Sequence, residues 1–165
     1  MQRGLDAERR DPTEIKRRWT RAVGNLIAMK TLRHLVSGTD FSEGAERGVE
    51  LAIALAIAPG AHVTLVHVCQ LGESDVEDSL LLERREGALS EVVARYRRCG
   101  VEITGVLRSG RPWEKLDNVA AEVGASLIVI GRHGAGRGRS VEIGSVAQRL
   151  VRCASRPVLT VPCTF

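Results

Sequence analysis

The chain is poor in aromatic residues, with two Trp, two Phe and one Tyr among 165 positions. Its core must therefore be assembled from Ala, Val, Leu and Ile, a composition suited to helices packed on a buried sheet rather than to an aromatic-rich sandwich. Long apolar runs are also missing. None approaches the roughly 20 residues that span a bilayer, and the first residues contain no hydrophobic signal core, so a soluble, cytoplasmic protein is expected. The four cysteines (Cys69, Cys99, Cys153, Cys163) form no CxxC pair, and the four histidines (His34, His62, His67, His133) show neither HxxxH nor HExxH spacing. This pattern predicts free, mostly buried thiols and argues against a zinc or redox centre.

The net charge of +4 is unevenly placed. Residues 1–30 carry eight Lys and Arg against four Asp and Glu, which leaves sixteen of each sign in the remaining 135. A basic nucleic-acid-binding face on the body of the protein has no support in composition. Trp19, Trp113, Tyr96, Phe41 and Phe165 are too scattered to form a stacking platform, so no nucleic-acid partner is expected.

Residues 1–28 read as an N-terminal extension. Asp11, Pro12, Thr13 and Glu14 match the N-cap and first turn of a helix, and Ile15, Trp19, Ala22, Val23, Leu26 and Ile27 recur at helical spacing beside Lys16, Arg17 and Arg21. The expectation is an amphipathic helix over about 12–28 that packs on the domain or a partner subunit. The alternatives are contact with an anionic membrane surface, or translation starting at Met29 with the extension absent.

From residue 29 to residue 165 the chain reads as one domain. Apolar runs at Leu32–Ser37, His62–Cys69, Val101–Leu107, Ser126–Ile130 and Pro157–Val161 alternate with helical periods at Ser42–Ala58, Ser79–Arg98, Pro112–Glu122 and Ile143–Arg152. That alternation predicts an α/β fold with an open, parallel sheet and helices on both faces. Pro59-Gly60, Gly100 and Gly124 are expected to stop helices and Pro112 to open one, while Leu71–Asp78 reads as a surface loop.

Ligands of such sheets sit beyond the carboxyl ends of the strands, where strand order reverses. The loop after the first strand reads SGTDFSEG and the loop after the fourth reads GRHGAGRGRSVEIGS. If the two strands are neighbours, Asp40 faces a glycine-rich loop that feeds a helix start, where unpaired amides and the helix dipole favour an anion. Gly131 and Gly134 are expected to let the backbone approach a ligand, and Ser145 to add a hydroxyl. A Walker A loop is excluded because no lysine lies between Gly131 and Ser145, and the spacing does not fit a dinucleotide-binding GxGxxG. Asp40 has a competing role as N-cap of the helix beginning near Ser42.

Gly131, Gly134, Gly144 and Ser145 spell GxxG, nine residues, then Gly-Ser. Together with TDFSEGA at 39–45, VTLVHV at 63–68 and GSVAQRLVRCASRPVLTV at 144–161, this resembles the ATP-binding class of the universal stress proteins. The resemblance implies an adenine nucleotide alpha hydrolase-like sheet in order 3-2-1-4-5, ATP with or without Mg2+, and a homodimer through the last strand (Val158 to Val161). Carried over position by position, Asp40 meets the ribose, its neighbour Thr39 is counted among the nucleotide-binding residues, and the backbone at Gly38 and Val68 borders the adenine. Ile130 and Gly131 flank the sugar and phosphates, and Gly134, Gly144, Ser145 and Val146 hold the phosphates. Gly38 replaces the family's usual Pro or Ala, which is expected to loosen the adenine edge, and Arg132 replaces a small Ser or Thr. Arg137 and Arg139 read as solvated arginines that are also placed to supply phosphate charge.

No positioned lysine or metal-binding carboxylate pair accompanies the loop, so the expected function is a dimeric, nucleotide-dependent regulatory or stress-response module with slow ATP hydrolysis at most. His133 is read as ordering the loop rather than as an acid or base. The alternatives are an adenylating enzyme related to the ATP pyrophosphatases, whose SGGxDS loop SGTDFS matches only in part, and a stress scaffold without obligatory nucleotide.

Overall fold

A computed structural model describes residues 32–70, 75–135 and 143–162. The expected N-terminal helix, Arg137, Arg139 and Cys163 lie outside the described residues. Strands β1 (His34–Gly38), β2 (His62–Cys69), β3 (Ile103–Ser109), β4 (Leu127–Gly131) and β5 (Val158–Val161) alternate with helices α1 (Glu43–Ile57), α2 (Asp75–Arg97), α3 (Pro112–Glu122) and α4 (Ser145–Cys153). All four strand pairings are parallel, and the order is β3-β2-β1-β4-β5. Among the described residues no helix is long and apolar enough to cross a membrane.

The period-two alternation of the strands divides the core into two layers. On one face Leu35, Val63, Leu65, Ile103 and Val129 pack against Val49, Ala52 and Ile53 of α1 and Leu89, Val93 and Tyr96 of α2. On the other, Val36, Val66, Ile128 and Ile130 meet Leu116, Val119 and Ala120 of α3 and Ala147 and Leu150 of α4. Both faces of β1 and β4 are covered, which explains why their sequences read as continuous apolar runs. Tyr96 is the one aromatic side chain fully buried among the described residues, so aliphatic residues do form the core.

Gly60, Gly100 and Gly124 take φ of +64°, +77° and +61°, the left-handed conformation that ends α1, α2 and α3. Two expectations are corrected. Helix α2 begins at Asp75 rather than Ser79, so the second half of the expected Leu71–Asp78 loop is helical. Cys153, at the end of α4, is exposed, whereas Cys69 and Cys99 are buried free thiols.

Candidate functional site

Because β1 pairs directly with β4, the loops that follow them leave the sheet side by side. Thr39–Ser42 connects β1 to α1, and residues 132–144 connect β4 to α4. Between them lies a cavity of about 380 Å³, within the usual size range of small-molecule sites. All ten residues expected at the site line it: Gly38, Thr39 and Asp40 after β1, Val68 on β2, Ile130 and Gly131 on β4, Gly134 in the loop, and Gly144, Ser145 and Val146 at the start of α4.

Further lining residues were not singled out in the sequence. Val66 lies two positions before Val68 on the same strand face, a period-two signal that was available. Pro112, marked in the sequence as a helix start but not as a site residue, and Leu116, which no local motif marks, contribute from the first turns of α3. Val66, Val68, Leu116 and Ile130 supply apolar wall, while Asp40 and the opening of α4 supply polar groups.

The β1–α1 loop is tightly held. The amide of Thr39 donates to the Val66 carbonyl at 2.9 Å, and its own carbonyl accepts from Nδ1 of His67 at 2.7 Å. A carbonyl only accepts, so Nδ1 carries the proton. Burial lowers the His67 pKa, Arg85 adds to the effect, and the Thr39 hydrogen bond and the Asp40 charge oppose it. Phe41 sits at φ +64°, its amide donating to Thr39 Oγ1 at 3.0 Å and its ring 4.4 Å from that of His67. A bulky residue in this conformation is strained.

The structure settles what caps α1. The Ser42 hydroxyl oxygen accepts from the amide of Ala45 at 3.2 Å and is the N-cap, which corrects the alternative that gave this role to Asp40. Asp40 instead spans two loops. Its Oδ1 accepts from the amide (3.0 Å) and hydroxyl of Ser42, and its Oδ2 accepts from the amide of Ala135 at 2.7 Å. Burial works to raise the Asp40 pKa, but these hydrogen bonds outweigh it and hold the carboxyl below its ordinary value.

The glycines of the loop allow close approach rather than a special backbone conformation. Gly131, Gly134 and Gly144 are absent from the positive-φ glycines, so their need is space. A Cβ on Gly131 would lie 2.1 Å from the carbonyl oxygen of Gly44, one on Gly134 would lie 2.3 Å from Oδ2 of Asp40, and one on Gly144 would lie 3.1 Å from the carbonyl oxygen of Arg132. The atoms nearest those positions belong to the protein itself, and all three glycines also line the cavity. At Gly38 the expectation of a loosened edge is corrected. A Cβ there would come within 3.0 Å of Leu116, so α3 fills the space left by the missing side chain and the edge is not loosened.

Helix α4 starts at Ser145 with Gly144 as N-cap, two residues later than expected. The Gly144 amide is already used, donating to the Arg132 carbonyl at 2.8 Å, and Gln148 is the first residue to bond back along the helix, to the Gly144 carbonyl. Within the helix the amides of Ser145, Val146 and Ala147 therefore lack acceptors, and all three residues line the cavity. An anion placed there would meet up to three N–H donors and the positive end of the helix dipole. Among the described residues no group of three or more His, Cys, Asp or Glu is placed to hold a metal ion.

The family model described as the universal stress protein family matches residues 31–162. The chain belongs to that family. A curated universal stress protein from Thermus aquaticus is 36% identical over 135 residues, covering 74% of this chain and 93% of the relative. The solved structure of the Methanocaldococcus jannaschii universal stress protein MJ0577 is similar with a TM-score of 0.71 at 25% identity, covering 79% of this chain and 96% of that one. A universal stress protein from Archaeoglobus fulgidus, solved in complex with dAMP, is similar with a TM-score of 0.60 at 28% identity, covering 78% and 96%. This chain's sheet order, β3-β2-β1-β4-β5, agrees with the order implied by the sequence resemblance.

Proposed function

We propose that this universal stress protein binds ATP in the cavity between the β1–α1 and β4–α4 loops and works as a dimeric, nucleotide-dependent regulatory module. The observation that carries the reading is the convergence, on one cavity, of an apolar wall suited to a base, a carboxylate suited to a sugar hydroxyl, and three amides at a helix start suited to phosphate. The dAMP complex of the A. fulgidus relative supports an adenine nucleotide as the ligand class. In this reading Gly38, Val66, Val68 and Leu116 receive the base, Thr39 and Asp40 face the ribose, Ile130 and Gly131 flank the sugar, and Gly134, Gly144, Ser145 and Val146 surround the phosphates.

Hydrogen bonds to a charged acceptor contribute about 1.5–3 kcal/mol each, and association costs several kcal/mol, which favours micromolar affinity. Mg2+ would arrive on the phosphates. Hydrolysis is slow at most in this reading, since no lysine lies between Gly131 and Ser145 to stabilise a transferring phosphoryl group. Dimerisation through β5 is supported by its place at the sheet edge with Leu159 exposed.

Heat release of small molecules from the purified full chain, followed by mass spectrometry, tests the reading. ATP or ADP is expected. Recovery of neither, together with no heat of binding on titration with ATP, would overturn it.

A further inference from the structure

We propose that Asp40 acts as a clasp: it ties residues 132–135 to the β1–α1 loop, and it supports phosphate binding through that segment rather than by touching phosphate. The inference rests on the nucleotide-binding reading above and adds a positioning residue to it.

Three observations carry it. First, Asp40 and Ala135 are 95 residues apart in the chain, yet the Ala135 amide donates to Oδ2 at 2.7 Å, making this a direct bond between the two loops that border the cavity. Second, the other oxygen is committed as well, because Oδ1 accepts from both the amide and the hydroxyl of Ser42. An ionised carboxylate has about four acceptor positions, so three bonds to the protein leave about one for a sugar hydroxyl. Third, Gly134 makes the approach possible, since a Cβ there would lie 2.3 Å from Oδ2. The middle glycine of the signature is thus the opening through which the carboxylate reaches the loop backbone.

The clasp connects to the phosphate-facing amides by a short route. Residues 132–135 leave β4; their far end is tied to Asp40 at Ala135, and the Arg132 carbonyl accepts from the Gly144 amide at 2.8 Å. Gly144 is the N-cap of α4, so the segment held by Asp40 is the same one that closes on the helix start presenting Ser145, Val146 and Ala147. Releasing Ala135 frees that segment on the cavity side. The helix start then loses a wall of its anion site even though none of its own amides has been altered.

Inorganic tripolyphosphate separates the clasp from a sugar ligand, because it has phosphates and no ribose. Titration of the full chain with ATP and with tripolyphosphate should show Asp40→Ala weakening both, tripolyphosphate at least about tenfold for the loss of charge-assisted bonds and ATP by that factor or more because its ribose contact goes as well. Asp40→Asn, which retains one acceptor oxygen, should fall between. Gly134→Ala leaves the carboxylate chemically intact but pushes it off the Ala135 amide, and it should reproduce the Asp40→Ala loss of tripolyphosphate. Hydrogen exchange in ligand-free protein supplies a reading independent of binding: the Ala135 amide is expected to be protected in the wild type and to exchange at least about tenfold faster in Asp40→Ala and Gly134→Ala. Melting curves identify any variant that fails to fold. Asp40→Ala that loses ATP but keeps tripolyphosphate, or unchanged Ala135 exchange in both variants, would overturn the clasp. A wild type that binds neither ligand would overturn the nucleotide reading and the clasp's role in binding with it.

Discussion

Gly48 of α1 and Gly131 of β4 meet backbone to backbone: a Cβ on Gly48 would lie 2.5 Å from the Gly131 amide nitrogen and 2.8 Å from the Ile130 carbonyl carbon. From the other side, a Cβ on Gly131 would meet the Gly44 carbonyl oxygen at 2.1 Å. The first turns of α1 therefore lie on the end of β4 with no side chain between them. That contact fixes the height of the β1–α1 loop above the sheet, and so the position of Asp40.

Gly48→Ala should be destabilising even though Ala is the better helix former. The obstructing atoms are backbone and cannot rotate away, so overpacking should cost about 1–3 kcal/mol. Urea unfolding of the variant against the wild type measures it. A variant as stable as the wild type would mean that α1 can lift off β4 freely.

Phe41 gives an inverted order of substitution. Phe41→Ala loses the ring contact with His67 and retains the strained φ of +64°, whereas Phe41→Gly loses the same contact and relieves the strain. The left-handed conformation costs a non-glycine residue roughly 1–2 kcal/mol, so the Gly variant should be the more stable of the two by about 1 kcal/mol. Elsewhere in regular structure the order is the reverse. Paired denaturant curves decide it.

Two histidines make stability depend on pH. Burial is the largest cause lowering the pKa of both His34 and His67, so the folded state disfavours their protonation. A folded-state pKa below the unfolded value means that the unfolded chain binds more protons, and stability falls as pH drops through the ordinary histidine value of about 6.5. Asp40 does not offset this. Its folded pKa is lowered, so its contribution is present above the ordinary carboxylate range and is lost only at more acidic pH. Urea midpoints at pH 7.5 and pH 5.5 should differ, with the lower value at pH 5.5, and His67→Gln should narrow the difference.

Gly144→Val should weaken ATP binding at least about tenfold with the fold retained, since a Cβ already approaches the Arg132 carbonyl oxygen at 3.1 Å and a branched side chain would push the loop off the helix start. Calorimetric titration beside a circular dichroism spectrum checks both halves. Unchanged affinity would move the phosphate site elsewhere.

The sequence was most legible where periodicity and punctuation agreed. His62–Cys69 and Pro112–Glu122 appear with the expected bounds because one is a run of β-branched and apolar residues and the other opens on proline. The meeting of Asp40 with the glycine loop was conditional on β1 and β4 being neighbours, which only the family resemblance implied and the sheet order shows. The start of α2 was harder to see, because its first turns are polar and its apolar period becomes regular only from Leu89 through Val93 to Tyr96, where the helix reaches the core. The purpose of each glycine was beyond the sequence for a different reason. A missing Cβ states that something approaches closely, and only coordinates distinguish a ligand from Gly44, Asp40 or Arg132. Choosing between Asp40 and Ser42 as the cap likewise turned on side-chain direction, since both residue types suit the position.

The peptide groups on either side of Arg132 have a consequence for assembly. Its amide donates to the Val161 carbonyl at 2.7 Å, continuing the β4–β5 ladder, and its carbonyl accepts from Gly144. The rim strand and the mouth of the last helix are thereby connected in series through one residue. If a second subunit paired along that rim and so altered occupancy of the mouth, thermodynamic reciprocity would require occupancy to alter pairing by the same factor.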